Sequence, residues 1–189
     1  MMNYFVFKRI FDVLLASCLL VCLAPIYITI AILIRLQDGG PAIFKQMRVG
    51  KAGEDFKFYK FRSMQLNTPN VESKDTKKLQ ITPFGKFIRR TNLDELPQFY
   101  NVLKGDMSFI GPRPPIPTQT DLIEMRKKNG ALSLKPGLTG WAQVNSFDGM
   151  SVEQKAKFDG DYAFKISFLF DFIILLKTAL YFTKKPPTY

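Results

Sequence analysis

Two adjacent carboxylates, Asp94 and Glu95, stand between the arginine pair Arg89-Arg90 and Arg113, which is set in the proline-bounded string Gly111-Pro112-Arg113-Pro114-Pro115. The chain has no histidine, which removes Ser-His-Asp and Cys-His nucleophilic sites, His-ligated zinc and imidazole bases. Its two cysteines, Cys18 and Cys22, lie in an apolar run. They cannot make a four-thiolate metal site, and no disulfide scaffold is expected. Carboxylates, lysines, tyrosines and hydroxyls remain. A carboxylate among several arginines at a helix start is held ionised, and its surroundings bind phosphate. Mg2+ favours carboxylate plus phosphate oxygens, so such a site suits it, with Asp94 as protein ligand. The blander alternative makes Asp94 a structural N-cap and Glu95 an ion-pair partner of Arg89 or Arg90. Spacing alone leaves both open.

Several elements must position these groups. Phe84, Phe87 and Ile88 have helical spacing, with Lys86, Arg89 and Arg90 on the other faces. Proline is tolerated only in a helix's first turn, so Pro97 predicts a helix starting close to Asp94 and ending before Gly105, a fitting C′ residue. Residues 39–64 read as a hairpin turning at Gly50-Lys51-Ala52-Gly53. Period-2 alternation puts Phe56, Phe58, Lys60 and Arg62 on one face, where the two cations are either a phosphate grip or a solvated strand end. Residues 66–80 are polar and aperiodic, hence a loop. A helix of mixed charge follows from Asp121 to Asn129, and Lys135-Pro136-Gly137-Leu138-Thr139-Gly140-Trp141 reads as a second rigid turn. Ser151-x-x-Gln154 is a capping-box pattern opening a helix that carries Asp159, Asp161 and Tyr162.

A length of 189 residues is one domain's worth, and the net charge of +11 points to anionic partners: nucleic acid, phosphorylated small molecules or acidic lipid. Hydrophobic content of 47% beside 23% charge excludes disorder as the main state. Val13 to Ile34 is an uncharged run of 22 residues. As one helix it would reach about 33 Å, enough to cross a hydrocarbon core of about 30 Å. It exceeds a signal peptide's apolar region and no small-x-small cleavage site follows. Pro25 sits near its middle, and Lys8, Arg9, Arg35, Lys45 and Arg48 flank both ends, so charge gives no orientation. A helix broken at Pro25 that enters and leaves on one face explains both features; a kinked single-pass anchor remains the alternative. The stretch Ile166 to Phe182 is interrupted by Asp171 and Lys177, which predicts a helix packed on the domain or lying in the membrane interface.

Five ordered strings decide among these readings: Lys60-Phe61-Arg62-Ser63-Met64, Arg89 through Gln98, Asn101 through Ser108, Gly111-Pro112-Arg113-Pro114 and Lys135 through Gly140. With Lys8-Arg9-Ile10-Phe11-Asp12 ahead of the apolar run, the chain resembles the bacterial sugar transferases, monotopic polyprenyl-phosphate phosphoglycosyl transferases, in their minimal catalytic-core form. The resemblance implies an α+β, membrane-associated fold: a re-entrant, Pro-broken helix over residues 1–36, then a catalytic domain over 37–189 with a small hairpin and several interfacial helices. It implies transfer of a sugar 1-phosphate from a UDP-sugar to polyprenyl phosphate, with release of UMP, at the cytoplasmic face of the bacterial inner membrane. That is the first membrane step of glycan assembly, such as lipopolysaccharide or capsule. Asp94 matches the family's nucleophile and Glu95 its dyad partner. Lys60, Arg62, Arg89 and Arg113 match phosphate-gripping positions, and Asp159 an acidic position of the last motif. Mg2+ is the expected cofactor. Lys8, Arg9 and Arg35 are expected at lipid headgroups, flanking the break at Pro25. The family breaks its helix at Ser-Pro; here Ala24-Pro25 keeps the proline and loses the hydroxyl.

Two rivals account for part of the pattern. A non-enzymatic basic anchor module explains the charge and the apolar run but not the carboxylate pair among arginines, and no recognised nucleic-acid motif is present. A membrane phosphohydrolase would share the aspartyl-phosphate chemistry and differ only in its product.

Overall fold

The computed structural model describes residues 2–66, 68, 80–145 and 150–182. It is a mixed helical and β structure in which helices predominate. The expected loop over 66–80 lies largely outside the described residues.

The apolar run breaks where the proline demands it. Helix α1 (Met2–Cys22) ends at Leu23, and α2 (Ala24–Asp38) starts with Pro25 in its first turn, where the missing N–H costs nothing. The two helices are bent by 61°, and no single described helix is long and apolar enough to cross a membrane. Gly39, at φ 71°, closes α2 in the left-handed conformation, donating its N–H to Arg35.

The hairpin forms as read. Strands β1 (Ile43–Val49) and β2 (Asp55–Phe61) pair antiparallel around a tight turn over Lys51–Gly53, with Arg48 opposite Phe56 and Phe44 opposite Lys60. Phe56, Phe58 and Phe61 are buried. Helix α3 (Pro83–Arg90) is capped by the Thr82 hydroxyl, which accepts from Gly85 N–H. Next come α4 (Gln98–Lys104), β3 (Ser108–Ile110), α5 (Thr120–Lys128), β4 (Gly137–Thr139), α6 (Trp141–Asn145), α7 (Val152–Lys165) and α8 (Phe168–Phe182). Both halves of the capping box at Ser151 and Gln154 are made.

One expectation is corrected by a pairing between distant segments. Residues 135–141 are not merely a turn: Gly137–Thr139 form β4, parallel to β3. The two glycine motifs exist for this contact. A Cβ on Gly137 would lie 2.1 Å from Gly111 N, and one on Gly111 would lie 2.4 Å from Lys135 O, so the backbones approach closer than any side chain allows.

Two apolar clusters carry the helices. Ala16 of α1 joins Phe58, Val102, Met107, Phe109, Tyr162 and Ile174 in the larger one. Ile30 and Ile34 of α2 join Phe61 and Ile88 in the other. Lys8 and Arg9 therefore do not reach outward to headgroups as expected. Lys8 pairs with Asp171 of α8, which also accepts from the Tyr162 hydroxyl at 2.7 Å. Arg9 donates to the carbonyls of Val102 (2.6 Å) and Leu103 (2.8 Å) at the end of α4. The physical reason is local supply: α1 lies along the carbonyl end of α4 and beside a buried carboxylate, both of which bind cations well. Arg35 stays exposed.

Candidate active site

Asp94 and Glu95 are not in the first turn of a continuous α-helix, as Pro97 had suggested. Asn92, at φ 55° and ψ 14°, takes the left-handed conformation that asparagine tolerates better than most residues, and turns the chain into a 3-10 turn over Leu93–Glu95. The α-helix begins only at Gln98, with Pro97 as its N-cap. Asp94 is thus no N-cap. The tighter turn lets both neighbouring carboxylates reach one cation, which adjacent positions on a regular helix face do not favour.

That cation is Lys60, near the end of β2. Its Nζ lies 2.7 Å from Glu95 Oε1 and 3.6 Å from Asp94 Oδ2. The strand is held in place by Asn101, whose amide donates to Lys57 O at 2.7 Å and accepts from Tyr59 N–H at 3.1 Å. Arg113 Nη2 reaches the same Glu95 oxygen at 2.6 Å from the proline-rich loop. Glu95 therefore pairs with Lys60 and Arg113, not with Arg89 or Arg90 as the blander alternative had it.

These partners drive the two carboxyls apart. Burial works against the charge of Glu95, but Arg113 and Lys60 outweigh it and hold the group far below the usual carboxylate range. Asp94 is only 6% exposed. Burial raises its pKa, assisted by the Glu95 charge, while Lys60, Arg89 and Arg113 pull it back only in part. Glu95 is locked between two cations, while Asp94 keeps a raised pKa, lies 3.6 Å from Lys60 and lines a cavity. Environments that split a carboxyl pair in this way assign the two groups different roles.

The cavity has a volume of about 1340 Å³, and Lys60, Arg89, Asp94, Glu95 and Arg113 all line it. Arg48 is a further wall residue, and Lys155 another. Arg48 lies 5.3 Å over the Phe58 ring, donates to Pro114 O at 3.1 Å and has its pKa lowered by burial to about 10, so it remains a cation at neutral pH. Its position opposite Phe56 on the hairpin was the available sequence signal; it had been counted only as a flanking charge.

Other expected residues sit further out. Arg62 lines the cavity, but its guanidinium is bidentate on Asp38 at the end of α2 and also donates to Pro41 O. It ties α2 to the hairpin. Asp159 is buried against Arg126, a residue of the cavity wall not singled out from the sequence. Pro25, Lys8, Arg9 and Arg35 belong to the helix pair described above. No group of three or more carboxylates or thiols gathers among the described residues. A divalent ion would be held here by Asp94, whose carboxylate is the less engaged of the two, since Glu95 Oε1 is already shared by two cations. One carboxylate with substrate phosphate oxygens and water is the ordinary manner of holding Mg2+, so the residues fit it.

The sequence model of the bacterial sugar transferase family matches residues 3–185. The chain is 38% identical over 180 residues to the UDP-glucose:undecaprenyl-phosphate glucose-1-phosphate transferase of Escherichia coli, covering 90% of this chain and 39% of that protein. It is 39% identical over 173 residues to the uncharacterized sugar transferase EpsL of Bacillus subtilis, covering 92% and 85% respectively. The UDP-N-acetylgalactosamine-undecaprenyl-phosphate N-acetylgalactosaminephosphotransferase of Aeromonas hydrophila is 38% identical over 182 residues, 93% of this chain and 43% of that protein. The chain thus spans about two fifths of the Escherichia and Aeromonas proteins and most of EpsL.

Proposed function

The chain belongs to the bacterial sugar transferase family, and from that membership we propose that it moves a sugar 1-phosphate from a UDP-sugar to undecaprenyl or a similar polyprenyl phosphate through a covalent intermediate on Asp94. The split carboxyl pair carries this reading. A nucleophilic carboxylate must face the substrate and not be tied up by cations. Both carboxyls line the cavity, but Glu95 is shared by Lys60 and Arg113 at 2.7 and 2.6 Å, while Asp94 has Lys60 at the looser distance of 3.6 Å.

In the first step an Asp94 oxygen attacks the β-phosphorus of the UDP-sugar. The new O–P bond forms as the bond from that phosphorus to the bridging oxygen breaks, and UMP leaves with the electron pair. In the second step a phosphate oxygen of the polyprenyl phosphate attacks the same phosphorus, the aspartyl bond breaks and polyprenyl-diphospho-sugar departs. No proton need be moved, which agrees with a site that has no histidine. Arg113 and Lys60, with Arg89 and Arg48 further along the cavity wall, would meet the diphosphate charge. Mg2+ bound by Asp94 and the diphosphate oxygens would add charge neutralisation. Glu95 keeps Lys60 and Arg113 together.

The acceptor places the reaction at a membrane, on the cytoplasmic side where UDP-sugars occur. The bent helix pair supports a re-entrant anchor over residues 1–36, with 37–189 as the catalytic domain. The uncharged part of α1, Val13–Cys22, is 10 residues, or about 15 Å, half of a hydrocarbon core. Leu14, Val21, Ile28 and Leu36 on the two arms are exposed, as are Phe168, Leu169, Phe172 and Leu180 on α8. Apolar surface of this extent suits lipid better than water. Radiolabelled UDP-sugar with polyprenyl phosphate tests the reading: label should pass into the organic phase with release of UMP. Free sugar phosphate with no lipid-extractable label would make the protein a phosphohydrolase instead.

A further inference from the structure

We propose that Arg126 is a positioning residue: from α5 it fixes the direction in which Arg113 enters the active site. The proposal rests on the transferase reading above. Arg126 is 2% exposed and Asp159 of α7 is 1% exposed. Arg126 Nε and Nη2 donate to Asp159 Oδ2 at 2.9 and 2.6 Å, while Nη1 donates to the backbone carbonyl of Arg113 at 2.8 Å.

The ion pair by itself explains little. Two buried charges lose about as much hydration as their attraction returns, and an apolar pair of similar volume often serves a fold as well. What an apolar pair cannot supply is the third donor. It is needed because of the loop it holds. Pro112, Pro114 and Pro115 have no N–H, so Arg113 carries the one backbone donor of this four-residue stretch and its carbonyls do most of the anchoring. Its carbonyls are taken one by one from outside. Pro112 O accepts from Gly137 N–H at 2.9 Å, and Arg113 O from Arg126. Pro114 O accepts from Arg48 at 3.1 Å, and Pro115 O from Val49 N–H at 2.9 Å. Four successive carbonyls are thereby held by β4, α5 and β1.

Arg113 needs such a frame. Its side chain is 44% exposed, twice as open as Lys60 at 21%, yet it must meet Glu95 at 2.6 Å. A long exposed side chain keeps one direction only if its backbone is fixed. Lysine in place of Arg126 could keep the charge against Asp159 but lacks the planar fork that serves both partners at once.

The test is a cycle of Arg126→Lys and Arg113→Met, each alone and together, read as kcat/KM for UMP release and as thermal stability. Arg126→Lys should stay folded and lose about 10- to 100-fold in kcat/KM, the range for a hydrogen bond involving a charged group. The diagnostic result is in the double variant: once Arg126 is lysine, removing Arg113 should cost far less than it does in the wild type. Additive losses would show that Arg126 acts independently of Arg113, and would overturn the proposal. So would an Arg126→Lys protein of wild-type activity. If Arg126→Lys does not fold, the neutral pair Arg126→Gln with Asp159→Asn replaces it in the same cycle. Recovery of both stability and activity there would reduce the pair to a structural one. A wild-type protein that releases no UMP fails the transferase reading itself, separately from this cycle.

Discussion

Replacing Glu95 by glutamine should separate the two carboxyls' roles, because each consequence has a sign that the geometry dictates. The amide of Glu95→Gln would keep an oxygen able to accept from Lys60 and Arg113 at the observed 2.7 and 2.6 Å, but the charge would be lost. Charge assistance accounts for about half the strength of such bonds, or about 1 kcal/mol each when buried. Arg113 is nearly half exposed, so its share is mostly screened. The expected destabilisation is about 1–1.5 kcal/mol, which for a chain of this size lowers Tm by roughly 2–6 °C. The second consequence concerns Asp94. The Glu95 charge is one of the causes raising its pKa, so removing it makes Asp94 easier to ionise. Activity that depends on ionised Asp94 is present above its folded pKa and fades as pH falls through it. The acid limb of kcat/KM should therefore move to lower pH, even as the maximal rate falls because Lys60 and Arg113 are less well held. Rates of UMP release across pH, with Tm at neutral pH, measure both. An acid limb that stays in place or moves up would refute the split-pair account.

Lys60→Met should do the opposite to the limb, moving it to higher pH, since Lys60 is the largest influence lowering the pKa of Asp94; a downward move in a pH profile would contradict this. EDTA should abolish UMP release and added Mg2+ restore it, while full turnover in EDTA would show that the cations suffice. Pro25→Ala restores a backbone hydrogen bond at the break and should favour a straight, spanning helix that puts the N-terminus outside. Labelling of Asn3→Cys by an impermeant thiol reagent, in a background carrying Cys18→Ser and Cys22→Ser, should occur only when Pro25→Ala is present; labelling with Pro25 intact would mean that the segment spans.

What the sequence made legible was local. The hairpin followed from glycines bounding a turn between alternating strands, and Gly105, Pro25 and the Ser151–Gln154 box each marked a helix end through their own backbone chemistry. The parallel pairing of Ser108–Ile110 with Gly137–Thr139 was not legible, because three-residue strands have no period to detect and partner choice is made by distant packing. Asp94 was placed correctly beside cations but in the wrong element: Pro97 was read as a first-turn residue, whereas Asn92 in the left-handed region turns the chain first. Arg126 was hidden in a helix of mixed charge, where a buried arginine looks like a solvated one until its partners are known. Lys8 and Arg9 looked like headgroup anchors for the same reason.

The central claim is the bond between Asp94 and phosphorus. Protein mixed with UDP-sugar in the absence of polyprenyl phosphate, quenched and digested, should yield a peptide containing Asp94 that is heavier by one phospho-sugar, with one UMP released per modified chain. The added mass should vanish when polyprenyl phosphate is supplied, and Asp94→Asn should neither acquire it nor keep more than roughly a hundredth of the wild-type rate. An unmodified peptide, with UMP appearing only once the acceptor lipid is present, would mean direct transfer and would contradict covalent catalysis through Asp94.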